Sequence, residues 1–219
     1  MKYLLALLVL AFACATTSPA TAVRRDRPLD RLMSNTVALE SDDGRVFCSG
    51  VVSEGVIVTA AHCVEDRLSV RVRRGQDTFR AYVADIEVQQ DVAVLDTLDY
   101  DLGKGIPFAR SAPELGDDIW VVGHSLGIYE FSLTRGIVSH PKRDDGLFAE
   151  MIWMQHDAGS INGNSGGPVV NKRGQLVGIT SFGVLAAVIC RFQCSGVYER
   201  SHISGAVHWE SIDAILPPR

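Results

Sequence analysis

The stretch Ile161-Asn162-Gly163-Asn164-Ser165-Gly166-Gly167-Pro168 places one serine among three glycines. Glycine adopts backbone conformations that other residues avoid, so such a stretch predicts a tight turn whose amide groups can converge on an anion. A serine presented in that turn is a candidate nucleophile. Because Ser and Gly also gather in turns that carry no chemistry, the assignment depends on partners elsewhere in the chain.

Two upstream segments supply those partners. Val58-Thr59-Ala60-Ala61-His62-Cys63 puts a histidine at the end of an apolar run, and Asp91-Val92-Ala93-Val94-Leu95 puts a carboxylate at the head of another. A serine hydroxyl is a weak nucleophile, so it needs a histidine to take its proton and a carboxylate to orient the imidazole. His62, Asp91 and Ser165 provide the three groups. Other acids close to Asp91 are Asp85, Asp96 and Asp99.

These motifs resemble those of the chymotrypsin-like serine peptidases, in which T-A-A-H-C, D-[IV]-A-[VL]-L and G-[DN]-S-G-G-P occur in this order. The resemblance covers roughly residues 34–213. It implies hydrolysis of peptide bonds through Ser165, with an oxyanion hole made by the backbone N–H groups of Gly163 and Ser165. Residues 115–139 further resemble the bacterial Deg/HtrA branch, and the short remainder after residue 213 predicts that no PDZ domain follows.

The hydrophobic pattern predicts an all-β fold. Short apolar or alternating runs separated by turn residues are typical of sandwiches and barrels. The resemblance selects two six-stranded antiparallel β-barrels within a domain of residues 34–219, the first at about 34–110 and the second at about 111–200. Apolar residues near the helical period predict a C-terminal helix at about 201–216: Ile203, Val207, Ile212 and Leu216.

Composition narrows the possible partners. With 219 residues, of which 47% are hydrophobic, the chain is long enough for a pair of small barrels. The net charge of −5, with no basic run longer than Arg71–Arg74, argues against nucleic acid and leaves proteins or peptides as the expected substrates. No cofactor and no metal is implied. The other histidines lack ligand spacing and are predicted to be surface or loop residues: His124, His140, His156, His202 and His208.

The N-terminal residues predict export. Residues 1–22 have a positive start, a ten-residue apolar core and a small-residue cleavage site, as a signal peptide does, and residues 23–33 form a polar segment. The alternative is a lipoprotein signal of residues 1–13, which would leave a lipidated Cys14 as a membrane anchor. We therefore expect a secreted or periplasmic protein, with membrane attachment only if Cys14 is acylated.

Cysteine usage agrees with export. Five cysteines become four when Cys14 is cleaved off or acylated, and four can pair completely in an oxidising compartment. The resemblance implies a disulfide between Cys48 and Cys63 beside the histidine. A local Cys190–Cys194 link is then expected, with two free thiols as the alternative.

The resemblance also places the residues that select the substrate. It puts the pocket floor at Gly159 with Ser160 beside it, and Ser181-Phe182-Gly183 on the strand that pairs with the substrate backbone. Gly183 and Gly196 would leave the pocket walls open. Because no acid stands at the floor, a buried Lys or Arg would lack a partner, and small or medium apolar side chains before the cut bond are predicted. Asp157 entering the pocket, or Arg191 favouring acidic residues, are alternatives.

Two other functions compete with the peptidase hypothesis. Gly123-His124-Ser125-Leu126-Gly127 satisfies the G-x-S-x-G elbow of lipases and esterases, with Ser125 as nucleophile, although the residues that follow favour a strand where that elbow needs a helix. A catalytically silent binding module on the same fold is the second alternative. Finally, Asn164 stands where zymogen-type members of the family have an aspartate that receives a new N-terminus, which predicts that this chain is not activated in that way.

Overall fold

Twelve strands close into two antiparallel barrels of six strands each in the computed structural model, which describes residues 28–128, 130–144, 150–187 and 198–218. The predicted fold class is confirmed. The signal sequence, Cys14, Cys190, Arg191, Cys194 and Gly196 lie outside the described residues.

The first barrel contains six strands in the spatial order β1-β2-β3-β6-β5-β4, and β4 pairs with β1 to close it. Their bounds are β1 Thr36–Glu40, β2 Val46–Ser53, β3 Val56–Thr59, β4 Ser69–Arg74, β5 Asp77–Glu87 and β6 Val92–Asp96. β2 and β3 form a hairpin around Glu54 and Gly55, which have φ of 51° and 86°. Two such residues suit the twist of a tight hairpin.

The second barrel has the order β10-β11-β12-β9-β8-β7, closed by the pairing of β7 with β10. Its strands are β7 Asp118–Gly123, β8 Ser132–Arg143, β9 Trp153–His156, β10 Pro168–Asn171, β11 Leu176–Ala187 and β12 Tyr198–Val207. A short 3₁₀ helix, Ser125–Gly127, lies between β7 and β8.

The C-terminal helix is confirmed, but its predicted extent is wrong. Only α2, Trp209–Ile215, is helical, whereas residues 201–207 belong to β12 and pair with β9 and β11. The spacing of four residues between Ile203 and Val207 puts both on one face of a strand as well as of a helix, so it could not distinguish the two. The His208 side chain begins α2 by accepting a hydrogen bond from Glu210 N at 3.2 Å.

A second helix, α1 (Pro28–Asn35), precedes β1. Its eight residues are too few for a sustained helical period, so the sequence pattern does not predict it. Proline suits the first helical position, where its missing N–H has no intrahelical acceptor to lose. Leu32, with 1% of its surface exposed, attaches α1 to the core. Neither described helix is long and apolar enough to cross a membrane.

The two barrels share a packed interface. One hydrophobic cluster contains Val52 and Ile57 of the first barrel together with Leu176 and Ile179 of the second. The fully buried side chains exclude water from the contact between the barrels, and this fixes their relative position. Loops from both barrels therefore meet at a defined cleft.

Candidate active site

His62 and Asp91 form a bonded pair at the edge of the first barrel. His62 lies in a 3₁₀ helix, Ala61–Cys63, directly after β3, and Asp91 lies directly before β6. Because β3 and β6 are paired neighbours, the two side chains meet. The imidazole Nδ1 lies 2.9 Å and 3.0 Å from Asp91 Oδ1 and Oδ2, and the backbone N–H of His62 donates to Oδ1 at 3.0 Å.

The pairing changes the acidity of both groups. The hydrogen bond to Asp91 raises the pKa of His62, and partial burial of the ring opposes this rise. Desolvation raises the pKa of Asp91, but the hydrogen bonds and charge of His62 and the hydroxyl of Ser181 outweigh it, so the pKa is lower than usual. Asp91 therefore stays ionised and holds the proton of a neutral imidazole on Nδ1, which leaves Nε2 as a base.

Ser165 lies in a turn in which the two residues that follow it must be glycines. Gly166, with φ of 81°, is so close to Ser49 that a Cβ would collide with the Ser49 carbonyl oxygen. A Cβ at Gly167 would likewise collide with the Val122 carbonyl oxygen. The Ser165 carbonyl accepts from Ser49 N at 2.8 Å, so the first barrel holds a turn that belongs to the second.

Ser181 joins the acid to the nucleophile turn. Its hydroxyl donates to Asp91 Oδ2, and its carbonyl oxygen accepts a long bond of 3.4 Å from the Ser165 hydroxyl. The Ser165 hydroxyl is thus directed to β11 in this conformation, and within the described residues it makes no hydrogen bond to His62. Catalytic hydrogen bonds are often loose without substrate, and a rotation about χ1 of Ser165 would redirect the hydroxyl.

The predicted oxyanion residues have unused donors. Neither the backbone N–H of Gly163 nor that of Ser165 has an acceptor in the part of the chain that the structure describes. Gly163 has φ of 93°, and a Cβ there would collide with the His124 carbonyl oxygen, which explains the glycine. Two N–H groups without an intramolecular acceptor next to a serine hydroxyl are what a tetrahedral oxyanion requires.

His62, Gly163 and Ser165 line one open cleft of about 380 Å³. The disulfide between Cys48 and Cys63, which the resemblance implies, is formed and lies in the wall of this cleft. Cys48, His62 and Cys63 group together as metal ligands do. Both sulfurs are oxidised and Nδ1 of His62 faces Asp91, so these groups do not fit a metal ion.

Of the predicted specificity residues, Ser181 contacts Ser165, through the 3.4 Å bond to its carbonyl oxygen. The Gly159 carbonyl accepts from Thr134 Oγ1 at 2.8 Å, Ser160 is buried, and Gly183 is exposed. The Phe182 ring packs edge-on against Trp153, with ring centroids 5.0 Å apart, and covers Gly205, where a Cβ would collide with it.

Asp157, the alternative pocket acid, is held by the backbone of the second barrel. Asp157 is exposed and directly follows β9. Its Oδ1 accepts a hydrogen bond from Ile137 N at 2.7 Å. This bond ties the carboxylate to β8.

The prediction that the remaining histidines are surface or loop residues is wrong for His156, which lies in β9. His124 and His208 lie in loops as predicted, but they are buried as well. His124, His156 and His208 are only 2%, 0% and 2% exposed. A neutral imidazole can be buried at modest cost when its polar atoms find partners, as His124 and His208 do. Sequence spacing gives no signal for burial of this kind.

The lipase interpretation of Ser125 is wrong. Ser125 is 5% exposed, its hydroxyl donates to Asn164 Oδ1 at 2.8 Å, and the chain continues into β8. A nucleophile elbow needs an exposed serine between a strand and a helix. The motif instead packs beside the Ser165 turn, a position that the sequence alone does not reveal.

The profile of the trypsin-like peptidase domain matches residues 48–179. The chain therefore belongs to the trypsin-like peptidase family. Among its curated relatives, the chloroplastic Protease Do-like 2 of Arabidopsis thaliana is 36% identical over 137 residues, and the mitochondrial serine protease HTRA2 of Bos taurus is 35% identical over 143 residues. A probable periplasmic serine endoprotease, DegP-like, of Ectopseudomonas mendocina is 32% identical over 136 residues.

These matches cover 59%, 63% and 60% of this chain but only 22%, 31% and 28% of the relatives. The chain thus spans about a third or less of their length. The crystal structure of a serine endoprotease from Yersinia pestis has the same fold, with a TM-score of 0.65 at 24% identity, and the match covers 85% of this chain and 63% of that one. Resemblance to the Deg/HtrA branch is confirmed.

Proposed function

We propose that this protein is a serine endopeptidase that hydrolyses peptide bonds in proteins or peptides through an acyl-enzyme on Ser165. The observation that carries the proposal is the shared cleft of His62, Gly163 and Ser165, in which the His62 ring is bonded to Asp91. Family membership and the Deg/HtrA relatives support the same chemistry.

The reaction follows from these groups. Ser165 Oγ attacks the scissile carbonyl carbon while its proton passes to His62 Nε2, and the carbonyl oxygen becomes an anion that the Gly163 and Ser165 N–H groups bind. The C–N bond then breaks, and the amine takes the proton from His62. Water repeats the sequence on the acyl-enzyme, which releases the acid and restores the serine. Asp91 stabilises the imidazolium formed in each half.

For specificity, we propose a preference for small or medium apolar side chains before the cut bond. The support is the glycine at position 159 and the bond that ties Asp157 to Ile137 N. A buried Lys or Arg would then lack a compensating charge. Cleavage of a mixed peptide library, read by mass spectrometry, tests this preference, and predominant cuts after Lys or Arg would contradict it.

For location, we propose export to the periplasm or the cell exterior. The pattern of residues 1–22 supports a cleaved signal peptide, and the disulfide suits an oxidising compartment. Intact-mass measurement of the exported protein separates cleavage after residue 22 from acylation of Cys14.

The decisive experiment labels the protein with a fluorophosphonate and locates the modified residue by mass spectrometry. We expect label on Ser165 and none in Ser165→Ala, with Ser53→Ala as a matched control, because Ser53 is a buried serine bonded to Ile106 O away from the cleft. Label on Ser125 would restore the lipase alternative. Absence of label on the folded wild-type chain would favour a silent binding module.

A further inference from the structure

The unassigned G-x-S-x-G motif lies directly against the oxyanion loop. We call Gly123–Gly127 the bracing turn and Asn162–Asn164 the oxyanion loop. Leu126 N donates to Asn162 O at 2.6 Å, and the Ser125 hydroxyl donates to Asn164 Oδ1 at 2.8 Å. The remaining residue of the loop, Gly163, is bonded from β2 by Ser49, whose hydroxyl donates to Gly163 O at 2.8 Å. All three loop residues are thus held from outside the loop.

The Ser49 hydroxyl also links this contact to His124. Ser49 Oγ lies 2.9 Å from His124 N and 3.1 Å from His124 Nδ1, besides its bond to Gly163 O. A hydroxyl has one proton and two lone pairs. The Gly163 carbonyl can only accept, so it takes the proton, and the lone pairs accept from the His124 backbone N–H and from Nδ1–H. These three hydrogen bonds of Ser49 Oγ require that His124 is the neutral tautomer with its proton on Nδ1.

The bracing turn also sets the direction of the Gly163 N–H. The described chain contains no cis peptide, so in the planar Asn162–Gly163 unit the N–H points opposite to the carbonyl. Leu126 N holds that carbonyl on the side of the bracing turn. The Gly163 N–H is therefore directed away from the bracing turn, and Gly163 lines the cleft with His62 and Ser165.

The bracing turn and the oxyanion loop are in close van der Waals contact. A Cβ at Gly123 would lie 2.8 Å from Asn164 Cα, and one at Gly163 would collide with the His124 carbonyl oxygen. Ser49, His124 and Asn164 are 0%, 2% and 2% exposed. A buried hydroxyl whose proton and lone pairs are all bonded rigidifies the loop it contacts, because a displaced loop would leave the Ser49 hydroxyl without its acceptor.

We propose that Ser49 and His124 are positioning residues that hold the oxyanion loop in its donor orientation, with Ser125 supporting them through Asn164. The inference rests on the proposed peptidase function and adds to it the reason for the G-H-S-L-G motif. Oxyanion donors act through their geometry toward the transition state, so weakening this network lowers kcat and leaves ground-state substrate binding unchanged.

Steady-state kinetics on a peptide substrate of the wild-type enzyme tests the role of Ser49. In Ser49→Ala, kcat falls on the order of 10- to 100-fold, as for a misplaced catalytic group, with KM changed less than about 2-fold. Affinity for a peptide boronate, which presents an anionic tetrahedral centre, falls with kcat. Ser53→Ala is the matched control, because Ser53 lies in the same strand, is equally buried and loses a comparable bond of 2.9 Å to Ile106 O.

A comparison of two His124 variants is the second test of the positioning role. His124→Asn can place an amide N–H near the position of Nδ1, whereas His124→Leu keeps the bulk and loses the donor. We expect kcat to recover in His124→Asn relative to His124→Leu, at similar melting temperatures. This pair decides the question if Ser49→Ala does not fold. Long-range ¹H–¹⁵N spectra of the wild type should show the Nδ1–H tautomer of His124.

The outcomes separate the two proposals. Loss of kcat in Ser49→Ala that Ser53→Ala matches, equal kcat in both His124 variants, or an Nε2–H tautomer overturns the positioning role and leaves the peptidase function standing. A wild-type enzyme without Ser165-dependent hydrolysis overturns the peptidase function, and the positioning role with it.

Discussion

At the residue scale, the chemistry of the site depends on the hydrogen bond between His62 and Asp91, through which each residue shifts the pKa of the other. The bond between them fixes which imidazole nitrogen carries the proton and keeps the carboxylate ionised. Asp91 itself has φ of 53°, a left-handed conformation that aspartate tolerates better than most residues. The turn before β6 thus directs the carboxylate at the ring.

Replacing Asp91 by Asn should abolish most activity. The amide N–H of asparagine donates a hydrogen bond to Nδ1 and so favours the tautomer of His62 with its proton on Nε2, which in a triad costs on the order of 10⁴-fold in kcat near neutral pH. Hydrolysis of a peptide substrate by Asp91→Asn measures this loss. Asp99→Asn is the control, since Asp99 is exposed in the segment after β6 and should retain full activity. A large loss in the control would mean that another acid serves His62.

The pH dependence of kcat/KM should follow His62. His62 must be neutral to accept a proton, and its bond to Asp91 raises its pKa above the usual 6.5. Activity is therefore expected to fall as the pH drops through that raised pKa, with a midpoint above 6.5. A pH series of kcat/KM between pH 5 and 9 measures the midpoint, and a midpoint well below the usual value would contradict the assignment.

At the scale of the elements, strand β9 carries a buried histidine that makes stability depend on pH. Burial lowers the pKa of His156 to about 4, while contact with the Ala158 backbone and the charge of Asp157 oppose the shift. The unfolded chain binds a proton at about 6.5 and the folded chain does not until about 4. Protons therefore favour the unfolded state between these values.

The free energy of unfolding should thus decrease as the pH falls from about 6.5 to 4, by roughly 3 kcal/mol for this one residue. His124, whose pKa burial likewise lowers to about 4, adds to the slope. Urea denaturation at several pH values measures the slope, and His156→Leu should make it shallower. An equal slope in the variant would show that His156 is already protonated, or hydrated, in the folded protein.

At the scale of the whole molecule, the site exists because two barrels meet. His62 and Asp91 come from the first barrel and Ser165 and Ser181 from the second, and Ser49 N bonds Ser165 O across the interface. Asn164, which the resemblance places where zymogen-type members receive a new N-terminus, accepts a hydrogen bond from the Ser125 hydroxyl. The oxyanion loop is therefore stabilised from within the described domain.

Activity should then not depend on the identity of the N-terminal residue. Variants of the exported protein that carry a few additional residues before Pro28 are expected to have the same kcat/KM as the wild type, because Asn164 is already bonded to Ser125. Active-site titration corrects for the active fraction. A marked loss on extension would indicate activation by a new amino terminus.

The candidate triad could be proposed from sequence because each of its residues lies in a short motif with fixed chemistry. The oxyanion residues and the Cys48–Cys63 disulfide were implied by the family resemblance, and the disulfide is confirmed. The strands were equally predictable, since alternation of apolar residues is a local signal. Ile203 and Val207 show the limit, because a four-residue spacing fits a strand and a helix alike. Burial of His124 and His156 was missed, since burial depends on residues far away in the chain.

The sequence by itself determined which side chains are the candidates for acyl transfer, because the proposed nucleophile, base, acid and glycine turn are each encoded within a few residues. Only the tertiary structure decided what the G-H-S-L-G motif does. The Ser49 hydroxyl bonds Gly163 O, 114 positions away, and the Ser125 hydroxyl bonds Asn164 Oδ1, 39 positions away. His124 contributes through its bonds to Ser49. The Ser49 bond forms only when the two barrels pack together, and the Ser125 bond only when two distant loops of the second barrel meet. No local sequence pattern records either contact.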